Sequence, residues 1–151
     1  LIVGKALGGG ILRISAVVGS REILSVFRPG DHGSTFGGNP LACHVAREAL
    51  KVLGEEHFEE RAEKLGLYLM DKLKAIGSPY VKEIRGRGLL IGVELKHEGP
   101  NAHEFCERLI EKGVLCKETR EYVIRFAPTL TIKKVQLDWA LEKIEQVLTP
   151  P

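Results

Sequence analysis

Short β-branched runs alternate with amphipathic stretches through the second half of the chain, and this alternation constrains the fold more than any other feature of the sequence. The runs predict strands, and the stretches, whose apolar residues recur every three or four positions, predict helices. From residue 79 onward the predicted strands are Val81–Arg85, Leu89–Leu95, Val114–Lys117 and Tyr122–Phe126, and the predicted helices are Ala102–Lys112 and Lys133–Leu148. The pattern therefore predicts a compact α/β unit of about 70 residues, which is within the usual size of a small domain.

The first half of the chain has fewer strands and two long helical patterns. The β-branched run Ile14–Val18 predicts a buried strand, and Arg21–Phe27 a short helix. Asn39 followed by Pro40 predicts a helix start, because asparagine accepts a free amide and proline fits the first helical position. That helix should end near Gly54.

A second amphipathic helix is predicted over Glu56–Ile76, and we place the domain boundary there. Residues 1–55 would be the end of a larger domain, residues 56–78 an interdomain helix, and residues 79–151 a small C-terminal domain. The first segment is not expected to fold well alone, because its strands need further neighbours to satisfy their backbone groups.

Composition excludes several function classes. The chain has 22 basic and 20 acidic residues, interspersed, and a formal net charge of +2, so it lacks the basic face that nucleic-acid binding needs. No segment has the pattern of a signal peptide or a membrane span. Three widely spaced cysteines, Cys43, Cys106 and Cys116, favour a reducing compartment and small buried apolar roles over a disulfide framework, and no spacing is typical of a metal site.

One lysine, Lys5, follows an apolar run and precedes the glycine triplet Gly8–Gly10. An aldehyde cofactor needs an amine held partly desolvated, so that the neutral, nucleophilic form is accessible. By position alone, an ordinary solvated lysine at a strand end is the more common case.

A second glycine-rich segment runs from His32 to Pro40 and carries two hydroxyl side chains, Ser34 and Thr35. Hydroxyls beside unhindered glycine amides, next to a helix start, can form a cup for a phosphate group. A loop that only caps the helix is an equally good interpretation of the pattern.

Arg125 lies in an apolar strand, just before Ala127 and Pro128. A buried guanidinium needs a carboxylate, because burying it unpaired is costly. An internal salt bridge or a strand-edge arginine that points to water also fits the pattern.

The sequences of these segments and their order along the chain resemble those of class III aminotransferases. The resemblance extends over the whole chain, but it covers only the C-terminal part of such an enzyme. The resemblance implies a fold-type I α/β transferase, with the end of the large domain and the small domain present. It implies that Lys5 holds pyridoxal 5'-phosphate and moves the proton during transamination, that Ser34 and Thr35 contact the cofactor phosphate, and that Arg125 receives a substrate carboxylate. In the family the matching threonine serves the cofactor of the other subunit, so the resemblance also implies a homodimer with its site at the interface.

Within the family, the sequence most resembles the enzymes that transfer the δ-amino group of ornithine to 2-oxoglutarate. Class III enzymes that act on acetylornithine or 4-aminobutyrate, and a non-catalytic oligomerisation module, remain alternatives. We expect small amino-acid and 2-oxo-acid substrates, no metal, and a cytoplasmic location, or the mitochondrial matrix in a eukaryote. We also expect the 151 residues alone to be inactive, because the family's remaining cofactor-binding groups lie upstream.

Overall fold

A computed structural model of the chain describes residues 1–150. The chain divides into two compact units, one spanning Leu1–His57 and one beginning at Phe58. The assignment of these units to a large and a small domain stays a prediction. The helix that we expected between domains packs within the second unit, against its strands and its last helix.

The first unit has two very short strands and two helices. Strand β1 is Ile2–Val3 and pairs antiparallel with β2, Ala16–Val17. Helix α1 is Arg21–Leu24, and α2 is Pro40–Glu55. The prediction of a buried strand over Ile14–Val18 is wrong, because only two of its residues are paired and Val17 is 62% exposed. A β-branched run indicates extended backbone, but burial depends on neighbours that the run does not specify.

The start of α2 is confirmed in detail. The Asn39 side chain accepts a hydrogen bond from the amide of Ala42 at 2.9 Å, and Pro40 is the first helical residue. Ala42 and Ala46 are the buried residues of this helix. The cap satisfies one of the amides that a helix start leaves free.

The second unit is a four-stranded antiparallel sheet with three helices. The sheet order is β3-β4-β6-β5. Along the chain the elements are α3 Phe58–Ala75, β3 Val81–Arg87, β4 Leu90–Leu95, α4 Ala102–Glu111, β5 Lys117–Glu118, β6 Val123–Phe126 and α5 Lys134–Leu148. The predicted α/β fold is confirmed, and the strand predicted over Val114–Lys117 is displaced. Val114 is instead buried, and its amide donates to the carbonyl of Leu109 at the end of α4.

The core of the second unit lies on one face of this sheet. Alternate residues of β4, Ile91, Val93 and Leu95, are fully buried, as are Phe105 and Leu109 of α4. The intervening residues of β4 are less buried and lie on the other face. This two-residue alternation is typical of an antiparallel sheet with one covered face.

The β3–β4 hairpin touches α3 through two glycines. Gly88 has a φ of +53° in the two-residue turn between Arg87 and Leu90. A Cβ atom added to Gly66 of α3 would lie 2.0 Å from the carbonyl oxygen of Gly88. The helix and the hairpin can therefore approach this closely only because Gly66 has no side chain.

Residues 1–150 contain neither a membrane-spanning helix nor a cluster of metal-ligating side chains. No helix there combines the length and the hydropathy needed to span a bilayer. No group of three histidine, cysteine, aspartate or glutamate side chains lies close enough together to hold a metal ion.

Candidate active site

Lys5 lies two residues beyond β1 and begins a short 3-10 helix, Lys5–Gly8. Its φ is +50°, a left-handed backbone conformation that is uncommon for a residue with a side chain. The side chain is exposed, and among the described residues no hydrogen bond or ion pair involves its amine. The expected partial desolvation of this lysine is therefore not provided by the described part of the chain.

A depression of about 510 Å³ lies beside Lys5. Its lining consists of the segment that follows the glycine triplet, Gly10 to Ile14, together with Lys5 itself. Lys5 thus contributes to a concave part of the surface.

The glycine-rich loop before α2 forms its own hydrogen bonds. The Ser34 hydroxyl accepts from the amide of Gly37 at 2.9 Å, and the Asn39 side chain donates to the carbonyl of Phe36 at 2.9 Å. Thr35 is exposed, and none of the hydrogen bonds within residues 1–150 involves its hydroxyl. The capping interpretation therefore describes Asn39, which accepts from the amide of Ala42, whereas Ser34 closes a turn within the loop. The hydroxyl of Thr35 has no partner among the described residues.

Ser34 lines a second depression, of about 390 Å³, together with Gly37 and Gly38. This depression and the one beside Lys5 share two lining residues, Arg13 and Ile14. The structure therefore brings Lys5 and Ser34 to neighbouring concavities of the first unit. The lining of these two depressions does not include Thr35.

Arg13 is the residue of this site that sequence reasoning did not assign. Its side chain is exposed, lies between the two depressions, and forms no ion pair within the described chain. A cation here adds to the attraction that the Lys5 amine exerts on an anion. The one signal in the sequence is a basic residue three positions after a glycine triplet.

Arg125 lies in the second unit, on the face of the sheet that points away from the core. Its neighbours in β6, Ile124 and Phe126, are buried, whereas Arg125 is exposed. The strand is internal to the sheet, because β4 and β5 flank it. The described residues give Arg125 no salt bridge, and β6 is not an edge strand. The expectation of a buried guanidinium is wrong, because the side chain is exposed, as the alternative of an arginine that points to water predicted.

The residues beside Arg125 leave its charge uncompensated. Directly opposite are Gly92 on β4 and Lys117 on β5. Gly92 has no side chain, and the Lys117 amine is 2.9 Å from the Glu118 carboxylate. The guanidinium thus has a glycine on one side and an ion-paired lysine on the other, so its own charge is free for an incoming carboxylate.

Arg85, in the same row across the sheet, differs from Arg125. It contacts the carboxylates of Glu83, at 2.9 Å, and Glu94. Hydrogen bonds from Lys82 and Arg85 lower the pKa of the Glu94 carboxyl. Glu94 and Glu83 together therefore pair with Arg85 and Lys82. Arg125 has no ion pair among the described residues, and neither does Arg87, which lies on the same face opposite Leu90.

The largest cavity described, about 560 Å³, contains none of these groups. It lies in the second unit and is mostly apolar, with Trp139, Val135 and Leu115 in its lining. Because chemistry needs polar or titratable groups, we do not place the active site there.

Comparison with known proteins identifies the family. The family model described as aminotransferase class III matches residues 1–148. The chain belongs to the class III aminotransferases. Similar proteins include the ornithine aminotransferase of Halalkalibacterium halodurans, which is 61% identical over 149 residues, 99% of this chain and 37% of the relative. This class III chain thus spans about a third of the length of the curated relatives that it matches.

Solved structures of this family share the fold of the chain. An ornithine aminotransferase from Toxoplasma gondii, with partial occupancy of PLP at its active site, gives a TM-score of 0.92 at 44% identity, and the match covers 97% of this chain and 35% of that one. An acetylornithine aminotransferase from Elizabethkingia anophelis gives 0.89 at 41% identity, over 97% and 39% of the two chains. Class III aminotransferases depend on pyridoxal phosphate.

Proposed function

We propose that the intact protein is a pyridoxal-phosphate-dependent ornithine aminotransferase. It would transfer the δ-amino group of ornithine to 2-oxoglutarate and give glutamate semialdehyde and glutamate. The observation that carries this proposal is the 61% identity to an ornithine aminotransferase over almost the whole chain.

The residues of the first unit fit the cofactor. Lys5 offers an unpaired primary amine in a concave surface, which is the group that an aldehyde needs. Thr35 offers a free hydroxyl, and the Ser34 loop offers glycines that leave room for an anion. Bound pyridoxal phosphate supplies the electron sink that the reaction needs at the substrate carbon.

Two roles follow for Lys5. Its Nζ would hold the cofactor aldehyde covalently in the resting protein. With cofactor and substrate bound, Lys5 Nζ would also be the base that takes the proton from the amine-bearing carbon of the substrate.

Arg125 would bind a carboxylate of 2-oxoglutarate or glutamate. Its unpaired guanidinium can donate two parallel hydrogen bonds to one carboxylate, and Gly92 leaves space on one side. Lys117, directly opposite, is paired with Glu118, so the free charge at this position is that of Arg125. This environment favours a substrate with a carboxylate over one without it.

The assembly and the compartment are part of the same proposal. Family members are typically oligomers, and we propose a homodimer in which Thr35 contacts the cofactor bound by its partner. We propose a cytoplasmic location, or the mitochondrial matrix in a eukaryote, which agrees with three cysteines that are all free thiols.

A hybrid enzyme tests the proposal. This chain replaces the matching segment of the Halalkalibacterium halodurans ornithine aminotransferase, and the purified hybrid is reduced with borohydride and digested. We expect the phosphopyridoxyl mass on the peptide that contains Lys5, and none in a Lys5→Arg hybrid. A cofactor mass on any other lysine of a folded hybrid would refute the assigned role of Lys5.

Initial rates separate the substrate classes. The same hybrid is assayed with ornithine, acetylornithine and 4-aminobutyrate, each with 2-oxoglutarate. Ornithine should give the highest kcat/KM. A higher value with acetylornithine, while Lys5 carries the cofactor, would leave the family intact and contradict the proposed substrate.

A further inference from the structure

Two cysteines of the second unit lie in contact. The Sγ atoms of Cys106 on α4 and Cys116 just before β5 are 3.4 Å apart. A disulfide bond has an S–S length of about 2.05 Å, so the two atoms need to approach by only about 1.3 Å. Both cysteines are free thiols here, and neither has a role in the reaction described above.

We propose that Cys106 and Cys116 form a dithiol site that reacts with small-molecule disulfides and closes to an intramolecular disulfide bond. The product would join helix α4 covalently to the start of β5.

The surroundings permit this closure. Cys116 precedes a strand of only two residues at the edge of the sheet, and β6 is the strand that pairs with it. A short edge strand can shift more readily than an internal one, because few hydrogen bonds hold it. Cys106, by contrast, is fixed within the core and is 2% exposed.

The difference in burial sets the order of the two steps. Cys116 is half-buried, so its thiolate would attack the small disulfide first, forming a mixed disulfide and releasing one small thiol. The Cys106 thiolate would then attack the Cys116 sulfur and displace the second small thiol. The balance is one small disulfide and two protein thiols giving one protein disulfide and two small thiols.

Burial also makes the first step slow at neutral pH. It raises the pKa of both thiols, and the contact with Cys106 raises the pKa of Cys116 further. The thiolate is the reactive form, so the reaction should be followed at mildly alkaline pH. The second step is favoured by the 3.4 Å contact, because the attacking atom is already in place.

The third cysteine provides an internal control. Cys43 lies on α2 in the first unit, is half-buried, and has no cysteine in contact with it among the described residues. It can form a mixed disulfide, but no second thiol is in place to resolve it.

The experiment treats the folded whole chain with hydroxyethyl disulfide, blocks the remaining thiols by alkylation, and identifies the products by peptide mass. We expect the Cys106 and Cys116 peptides to be linked, with the loss of two hydrogens, in the wild type and equally in Cys43→Ala. In Cys106→Ala, Cys116 should instead keep one mercaptoethanol adduct, because the resolving thiol is absent. In Cys116→Ala, Cys106 should stay unmodified, because it is buried.

Three results would overturn the proposal. In the first, Cys116 of the Cys43→Ala protein keeps its mercaptoethanol adduct while Cys106 stays reduced. In the second, the Cys106–Cys116 disulfide forms only in denaturant. In the third, the disulfide that forms in the wild type involves Cys43. Far-UV circular dichroism of each variant before treatment establishes that the protein is folded, and the Cys43→Ala result keeps the test valid if a core variant does not fold.

Discussion

Replacing Gly66 with alanine should destabilise the second unit, although alanine is the better helix former. The added Cβ atom would lie 2.0 Å from the oxygen and 2.2 Å from the carbon of the Gly88 carbonyl, whereas ordinary contact begins at 3.4 Å. Both obstructing atoms are backbone, so the helix and the hairpin must separate. Overpacking of this kind costs about 3 kcal/mol at the upper end of its usual range. The better helix propensity of alanine returns about 1 kcal/mol, which leaves a net loss of about 2 kcal/mol.

Urea unfolding followed by fluorescence measures this loss. Trp139 is the single tryptophan of the chain and lies on α5 of the same unit, so it reports on the affected region. With a slope of about 2 kcal/mol per molar urea, the midpoint should fall by about 1 M. Gly54→Ala is the matched control, because nothing lies within 4 Å of the added Cβ atom. It should be neutral or gain up to about 1 kcal/mol, measured by circular dichroism. A Gly66→Ala protein with an unchanged or higher midpoint would refute the close-packing argument.

Two further predictions concern charged residues of the second unit. In the hybrid enzyme, Arg125→Gln should lower kcat/KM for 2-oxoglutarate by about tenfold to a hundredfold, because it removes one charged hydrogen-bonded contact of about 1.5–3 kcal/mol. The control is Arg87→Gln, at the end of β3. An equal loss of kcat/KM in both variants would contradict the assignment. Glu94→Gln should make stability less dependent on acid pH. The folded pKa of Glu94 is lowered from an ordinary value of 4.5, so its contribution is present above that value and is lost as pH falls through the folded pKa. Acid titrations of the wild type, Glu94→Gln and Glu142→Gln measure this, and a Glu94→Gln curve that parallels the wild type would count against the ion-pair network.

Local rules predicted those parts of the fold that depend on neighbours in sequence. Asn39 caps its helix as its side-chain chemistry predicted, through the amide of Ala42 at 2.9 Å. The hairpin at Gly88 also follows from local turn chemistry. Pairing and burial between distant segments are not encoded in this way, and this is why Ile14–Val18 was predicted to be buried and is largely exposed.

The candidate site was predicted in part for the same reason. The sequence indicated Lys5 and Ser34 through glycines close to them, but not that Arg13 lines both of their depressions. It indicated Arg125 by its apolar strand, but not the glycine opposite, because strand register brings Gly92 beside it from 33 positions away. Their functional roles stay predictions until the hybrid enzyme is assayed.

The internal position of β6 has a thermodynamic consequence for anything that binds Arg125. Hydrogen-bonded ladders on both sides hold the backbone at this residue, through β4 on one flank and β5 on the other. Capturing an anion then freezes only the torsions of one long side chain, at an entropic cost of about 2 kcal/mol. An arginine on a flexible loop would have to order its main chain as well, at a further 1–2 kcal/mol or so for each residue immobilised.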